Sequence, residues 1–120
     1  MLKKTKTIGS EAEEMAQNFL LQKGYSIIAK NYRYKRLEID IIAEIDEVIV
    51  FVEVKFRKNS QYGEPERFVT EKKINNMMEA AEAYLSTHQK NGELRFDIIS
   101  IMKENGKFQV EHFEDAFYHF

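Results

Sequence analysis

The fold of this 120-residue chain is decided by residues 37–57, which read LEIDIIAEIDEVIVFVEVKFR. Two runs rich in isoleucine and valine flank Asp46-Glu47, a link short enough for a two-residue hairpin turn. The runs predict two antiparallel strands, Glu38–Ile45 and Val48–Lys55. The second strand is almost continuously apolar, which is typical of a central strand that is covered on both faces.

The two-residue turn also predicts which side chains of this hairpin lie opposite each other. Counting outward from the turn places Asp40 opposite Glu53 and Glu38 opposite Lys55. Lys55 follows Glu53 by two residues and therefore shares its face of the strand. One face of the hairpin is predicted to gather all four charged side chains.

Directly opposed carboxylates at side-chain distances of about 5 Å repel each other. A divalent cation removes this conflict between Asp40 and Glu53, because Mg²⁺ prefers carboxylate oxygens completed by water and substrate phosphate. Lys55 can then assist the attacking water or stabilise charge on the phosphate in the transition state. The same residues also suit a salt-bridged hairpin without a metal, in which Lys55 pairs with Glu38 and Glu53. The spacing alone leaves both interpretations open.

Helical periodicity predicts an amphipathic helix that follows Ser10, an expected N-cap, and stops at Gly24. Glu13 lies at the edge of its apolar stripe and can reach the surface on which the helix packs. The stripe consists of Ala12, Met15, Ala16, Phe19 and Leu20.

The remaining elements complete an α-β-β-β-α-β-β order. Thr70 is the expected N-cap of a second helix that ends near Asn91-Gly92, and residues 56–68 are predicted to form a loop. The buried stripe of this helix is predicted to be Ile74, Met77, Met78, Ala81 and Leu85, and further strands are predicted at Tyr25–Tyr34, Leu94–Met102 and Lys107–His112. We expect one α/β domain over residues 1–120, with a mixed sheet flanked by helices.

The composition excludes several kinds of site and partner. There is no cysteine, which excludes disulfides, thiolate zinc sites and cysteine nucleophiles. Met1–Thr7 carries lysines without a following apolar run, and no stretch approaches the roughly 20 apolar residues of a membrane span. We therefore expect a cytoplasmic protein with no membrane partner.

The charge pattern adds a polyanion as an expected partner. Residues 37–54 carry six acidic and no basic side chains, and basic segments flank them on both sides. This pattern suits a metal site beside a phosphate track, although an ordinary mixed surface produces it too. Lys73 in the first turn of the second helix is unfavourable for the helix dipole, which favours a phosphate contact. The candidate nucleic-acid contacts are Arg33, Lys35, Arg36, Arg57, Lys58 and Lys73.

The runs LEIDIIA (Leu37–Ala43) and VFVEVKFR (Val50–Arg57) resemble the signature of the YraN-like family of bacterial proteins. Ala12 and Leu37 stand where that family usually has glycine. The family is similar to the restriction-endonuclease-like, or PD-(D/E)xK, superfamily, including archaeal Holliday junction resolvases. Further matching positions are Glu13, Ala16, Leu20, Gly24, Tyr25, Asn31, Arg33, Tyr62, Gly63, Pro65, Val69, Thr70, Lys73, Ala81, Tyr84, Leu85, Arg95, Phe96 and Asp97.

The resemblance implies a restriction-endonuclease-like fold and a metal-dependent endonuclease acting on DNA. By it, Asp40, Glu53 and Lys55 correspond to the D…E-x-K catalytic motif and Glu13 to the acidic helical residue of the resolvases. Mg²⁺ or Mn²⁺ is then expected on Asp40, Glu53 and Glu13.

No helix carries base-reading side chains at a suitable spacing, so we expect recognition of branched or processed DNA structures rather than of base sequence. A nucleic-acid-binding module with little or no turnover is the first alternative, and a purely structural interaction domain is the second. An aromatic C-terminal run predicts docking on the body of the protein, with a homodimer contact as its alternative. This run contains Phe113, Phe117, Tyr118 and Phe120.

Overall fold

The computed structural model describes residues 8–57, 70–88 and 92–116 of the chain. The order of its elements is α-β-β-β-α-β-β, as the sequence predicts. The elements are α1 (Ile8–Gln22), β1 (Ser26–Tyr34), β2 (Leu37–Ile45), β3 (Val48–Arg57), α2 (Glu71–Thr87), β4 (Glu93–Glu104) and β5 (Lys107–Phe113).

The five strands form one mixed sheet in the order β1-β2-β3-β4-β5. Strands β3 and β4 are parallel, whereas the other neighbouring pairs are antiparallel. A parallel pair needs a crossover connection, and α2 supplies it. The predicted central position of β3 is confirmed.

Strand β3 separates two apolar cores because its side chains alternate between the faces of the sheet. Val50 and Val52 pack with the buried stripe of α1. Ile49 and Phe51 pack with the buried side of α2. The two helices therefore cover opposite faces of the sheet, and the expected burial of β3 on both faces is confirmed.

The β2–β3 turn has the predicted two-residue length. Ile45 pairs with Val48, and both turn residues have positive φ, 48° at Asp46 and 67° at Glu47. Two consecutive left-handed residues are the property of a type I′ turn, whose twist matches that of the strands. The predicted register is confirmed from this turn as far as the pair of Ile41 with Val52, where the ladder ends.

Three details of the helices differ from the sequence-based prediction. α1 already includes Ile8, so Ser10 is a residue of its first turn and not its N-cap. Met78 is 44% exposed, because the buried side of α2 is centred on Met77, Ala81 and Tyr84. α2 ends at Thr87, earlier than the predicted Asn91-Gly92. Thr70 is its N-cap, as predicted, with Oγ1 accepting a hydrogen bond from the Lys73 N–H.

Two further predictions concern the edges of the described structure. β3 continues to Arg57, so the predicted loop 56–68 begins later than expected. Residues 58–68 lie outside the described residues.

Neither α1 nor α2, the helices of the described ranges, has the length and apolar character needed to span a membrane.

Candidate metal centre

An irregularity in β1 and β2 determines where Asp40 lies. Asn31 has a φ of 53° and lies between the two β1 residues that pair with Ile39 and Ile41. Ile39 and Ile42 both pack in the core under α2, although strict alternation would put them on opposite faces. The alternation is therefore interrupted between them, at Asp40.

The interruption brings Asp40 to α1 and creates an acidic cluster, which consists of Glu13, Glu38 and Asp40. One carboxylate oxygen from each of these residues lies within 4.8 Å of the other two. Glu13 and Asp40 are half-buried, whereas Glu38 is exposed. Glu13 thus reaches the site from the edge of its helix, as the helical periodicity suggests.

Asp40 is the most perturbed member of the acidic cluster. Its Oδ2 accepts a hydrogen bond of 2.8 Å from the N–H of Val54, just beyond the last pair of the β2–β3 ladder. Burial raises the pKa of Asp40 to about 6, and the charges of Glu13, Glu53 and Glu38 add to this rise against the opposing Val54 hydrogen bond. Burial followed by the charge of Glu38 also raises the pKa of Glu13. The cluster thus holds negative charge that its own hydrogen bonds do not compensate.

Glu53 lies on the α2 face of β3, where two lysines bind one of its carboxylate oxygens. Oε1 is 3.3 Å from Lys55 Nζ and also accepts a hydrogen bond from Lys73 Nζ of α2. Oε2 is buried and has no hydrogen-bond partner among the described residues. We call this group the lysine-bound carboxylate.

The structure therefore distributes the predicted site over two adjacent groups. The predicted common face holds Glu53 and Lys55, but Glu38 and Asp40 meet α1 through Glu13. The prediction of one shared face for all four was wrong, because it assumed unbroken alternation along β2. The groups remain electrostatic neighbours, since Glu53 is one of the charges that raise the pKa of Asp40.

The donor set fits a hard divalent cation. Every available ligand is a carboxylate oxygen, the kind that Mg²⁺ and Mn²⁺ prefer. Oε2 of Glu53 is buried and accepts no hydrogen bond from the described residues, and a cation would be a partner for it. Glu13, Glu38 and Asp40 are therefore the residues that lie close enough together to hold one such ion, and Glu53 is a neighbouring carboxylate outside this cluster. Glu38 was not among the predicted ligands, although the predicted register placed it on the charged face of the hairpin.

Three of the six predicted phosphate contacts, Arg33, Lys35 and Lys73, are engaged with acidic side chains. Arg33 Nη2 lies 3.1 Å from Glu38 Oε2, at the margin of the acidic cluster. Lys35 Nζ lies 2.8 Å from Glu79 Oε1 of α2. Arg57 is half-buried at the end of β3, and Lys58 lies outside the described residues. Beside Lys35 is a cavity of about 370 Å³, lined by Tyr34, Lys35, Arg36, Leu37, Asn76 and Glu79.

A second charged group lies away from the candidate site, around Asp97 of β4. Arg95 donates two hydrogen bonds of 2.8 Å to its carboxylate, and the two side chains form an ion pair. His112 Nε2 lies 2.7 Å from Oδ2, and the Asp115 N–H donates to Oδ1. The part played by His112 was not predicted, since sequence spacing does not reveal a partner on a neighbouring strand.

The aromatic C-terminal run is described only as far as Phe113. Phe113 is half-buried and packs against Ile74 and Ile98, as expected for a segment that docks on the body. Phe117, Tyr118 and Phe120 lie outside the described residues.

Comparison with known proteins identifies the family. A UPF0102 protein of Flavobacterium psychrophilum is 43% identical over 113 residues, covering 94% of this chain and 95% of that protein. One from Phocaeicola vulgatus is 43% identical over 110 residues, covering 92% and 91%. One from Cytophaga hutchinsonii is 47% identical over 96 residues, covering 80% and 85%. The family model described as "Uncharacterised protein family UPF0102" matches residues 12–101. The chain therefore belongs to the UPF0102 family, the YraN-like family that its strand motifs resemble.

Proposed function

We propose that this protein is a Mg²⁺- or Mn²⁺-dependent endonuclease that hydrolyses phosphodiester bonds in branched or processed DNA. The observation that carries the proposal is the convergence of half-buried carboxylates where the β2–β3 ladder ends. Asp40 is half-buried among acidic neighbours, and Glu53 keeps a buried oxygen without a partner among the described residues. Such an arrangement costs stability unless a cation is bound.

The D…E-x-K spacing of Asp40, Glu53 and Lys55 supports the nuclease assignment through its resemblance to the restriction-endonuclease-like enzymes. A bound divalent cation supplies Lewis-acid activation of the phosphate and activation of water. Asp40 and Glu13 would hold this ion, and Glu53 would be the further ligand that the resemblance implies. Lys55 Nζ, next to Glu53, orients the attacking water and stabilises the charge that develops on the phosphate oxygens.

A nucleic-acid-binding module with little turnover is the second candidate. The observation that favours it is the occupation of the acidic side chains by cations of the protein itself. Lys55 and Lys73 bind Glu53, and Arg33 binds Glu38. In this second candidate the carboxylates position basic side chains for phosphates and no bond is cleaved.

Metal binding is the first test of the proposal. Manganese is titrated calorimetrically into the wild type, into Asp40→Ala and into Glu111→Ala, a control in which an exposed carboxylate of β5 is removed. We expect heat of binding in the wild type and the control and a loss of binding in Asp40→Ala. Absence of binding heat from the wild type would overturn the metal-dependent function.

Cleavage separates the enzyme from the binding module. The wild type is incubated with linear, single-stranded, flapped and four-way-junction DNA, with and without Mn²⁺. We expect manganese-dependent cutting of a branched or flapped substrate and its loss in Glu53→Ala and Lys55→Ala. Binding without cutting would favour the second candidate, and cutting that survives both substitutions would refute the assigned site.

A further inference from the structure

Lys73 is built into the start of α2 in a way that fixes its backbone and leaves its side chain accessible. It is the third residue of the helix, and its N–H donates to Thr70 Oγ1 over 3.1 Å. Its side chain extends to Glu53 and is 32% exposed, whereas that of Glu53 is 14% exposed. The ammonium group can therefore leave Glu53 by rotations of the side chain alone, without unwinding the helix.

The contact that Lys73 makes is one that a divalent cation would disturb. Lys73 and Lys55 both approach Oε1 of Glu53, so two ammonium groups already share one negative charge. A cation that uses the buried Oε2 would add two positive charges at the same carboxylate. Positive charges that share one half-buried carboxylate repel each other strongly. The Lys73–Glu53 contact and a metal on Glu53 therefore oppose each other.

Lys73 is the lysine better placed to move. Lys55 is held on the central strand, two residues from Glu53 and on the same face. Lys73 approaches from another element, at a helix N-terminus, where the dipole favours an anion and disfavours an uncompensated lysine. Without Glu53 as a partner, Lys73 needs a new anion beside the first turn of α2. A phosphate of the nucleic acid supplies that charge.

We propose that Lys73 is an exchangeable counter-ion. In the metal-free protein it neutralises Glu53, a divalent cation then takes over this carboxylate, and the released ammonium group binds a phosphate of the substrate. This inference rests on the proposed function, because it requires a metal at Glu53. It adds a coupling between ligands: the metal releases the phosphate-binding group, so metal and nucleic acid strengthen each other's binding.

The test compares Lys73→Met with Lys72→Met, which removes the exposed neighbouring lysine of the same helix turn. Mn²⁺ is titrated calorimetrically without nucleic acid. We expect Lys73→Met to bind the ion about fivefold to tenfold more tightly than the wild type, because its competitor is gone. Lys72→Met is expected to match the wild type. Lys73→Arg, which keeps the ion pair, is expected to lack the gain.

Binding of a fluorescent four-way junction in Ca²⁺ provides the second readout. Lys73→Met should bind it roughly tenfold more weakly than Lys72→Met, and its salt dependence should fall by about one phosphate contact. Thermal unfolding of each variant establishes that it is folded.

The outcomes distinguish this inference from the function on which it rests. Manganese binding that is unchanged or weaker in Lys73→Met, while the wild type binds and Asp40→Ala does not, overturns the exchange and leaves the metal site intact. Unchanged junction binding in Lys73→Met likewise refutes the transfer to phosphate. A wild type that binds no manganese removes the proposed function and this inference together.

Discussion

Asp40 and Asp97 lie in the same sheet, but the partners of their carboxylates differ. Asp97 is completely buried, yet it receives two hydrogen bonds from Arg95, one from His112 and one from a backbone N–H. Burial alone would raise the pKa of Asp97, but these partners hold it below its usual range. Asp40 receives one backbone hydrogen bond and has acidic neighbours, and its pKa rises to about 6.

The difference shows what each region is suited for. Around Asp97 the chain supplies every group that a buried carboxylate needs, including Lys23, whose Nζ lies 2.8 Å from Nδ1 of His112. An ammonium group only donates, so Nδ1 accepts and Nε2 carries the proton that faces Asp97. The Asp97 network is satisfied internally, which is typical of a structural role. Asp40 lacks such compensation, which is typical of a site that binds something else.

The largest expected effect is the loss of the charge at Asp97. Asp97→Asn leaves the Arg95 guanidinium half-buried without its carboxylate, and we expect a loss of about 3 kcal/mol in the free energy of unfolding at pH 7. Urea denaturation of the metal-free protein measures it, with Glu111→Gln as an exposed control. A loss below about 1 kcal/mol would contradict the structural role assigned to the network.

The same substitution at Asp40 should act with the opposite sign. Asp40→Asn removes a carboxylate that burial and acidic neighbours disfavour, and its amide oxygen can still accept from the Val54 N–H. We expect this substitution to raise the free energy of unfolding of the metal-free protein by about 1–2 kcal/mol at pH 7. The same urea experiment in the presence of a chelator measures this gain. Destabilisation by Asp40→Asn would show that the residue is held in place for stability.

A pH series sharpens the contrast. The pKa of Asp40 rises from an ordinary 3.8 to about 6 in the folded protein. The contribution of this carboxyl group to the free energy of unfolding is therefore complete below pH 3.8 and is lost as the pH rises through 6. Between pH 7 and pH 5, the free energy of unfolding of the wild type should therefore rise by about 1 kcal/mol relative to that of Asp40→Asn. The lowered pKa of Asp97 has the opposite consequence, since its contribution is present above 3.8 and is lost only as the pH falls through its lower folded value. Unfolding free energies at pH 7, 6 and 5 measure the difference, and a constant gap between wild type and variant would contradict it.

The smallest expected effect concerns a carboxylate on the surface. Hydrogen bonding and the charge of Lys35 lower the pKa of Glu79, but both side chains are at least half exposed to solvent. Exposed ion pairs contribute little to stability, because water and salt screen them. Lys35→Met should leave the thermal midpoint within experimental error. A clear drop would show that the contact between β1–β2 and α2 depends on this pair.

The sequence was sufficient for the parts of the fold that depend on local patterns. A two-residue link predicts the register of the β2–β3 hairpin, since the turn length determines which residues pair. The apolar run of β3 predicts burial on both faces, and Thr70 predicts the start of α2. The family follows from the strand motifs, and the family model confirms it.

The geometry of the site was only partly predictable. Periodicity assigns a side chain to a face only while alternation is unbroken, and the left-handed Asn31 accompanies a break that turns Asp40 towards α1. Asparagine tolerates this conformation, but tolerance does not require it. The contact of Lys73 with Glu53 joins α2 to β3 across a long sequence separation, which no local pattern encodes.

The end of the β2–β3 ladder at Ile41 and Val52 has an evolutionary consequence. Apart from Glu44, the rungs between the turn and this point consist of apolar residues, and Asp40 and Glu53 come after them. The pairs that hold the hairpin together and the carboxylates of the proposed metal site therefore occupy different parts of the two strands. A lineage released from the need to bind a cation is expected to change first at Asp40, because replacing this carboxylate stabilises the metal-free protein. Relatives that keep Asp40 are those in which we expect manganese binding.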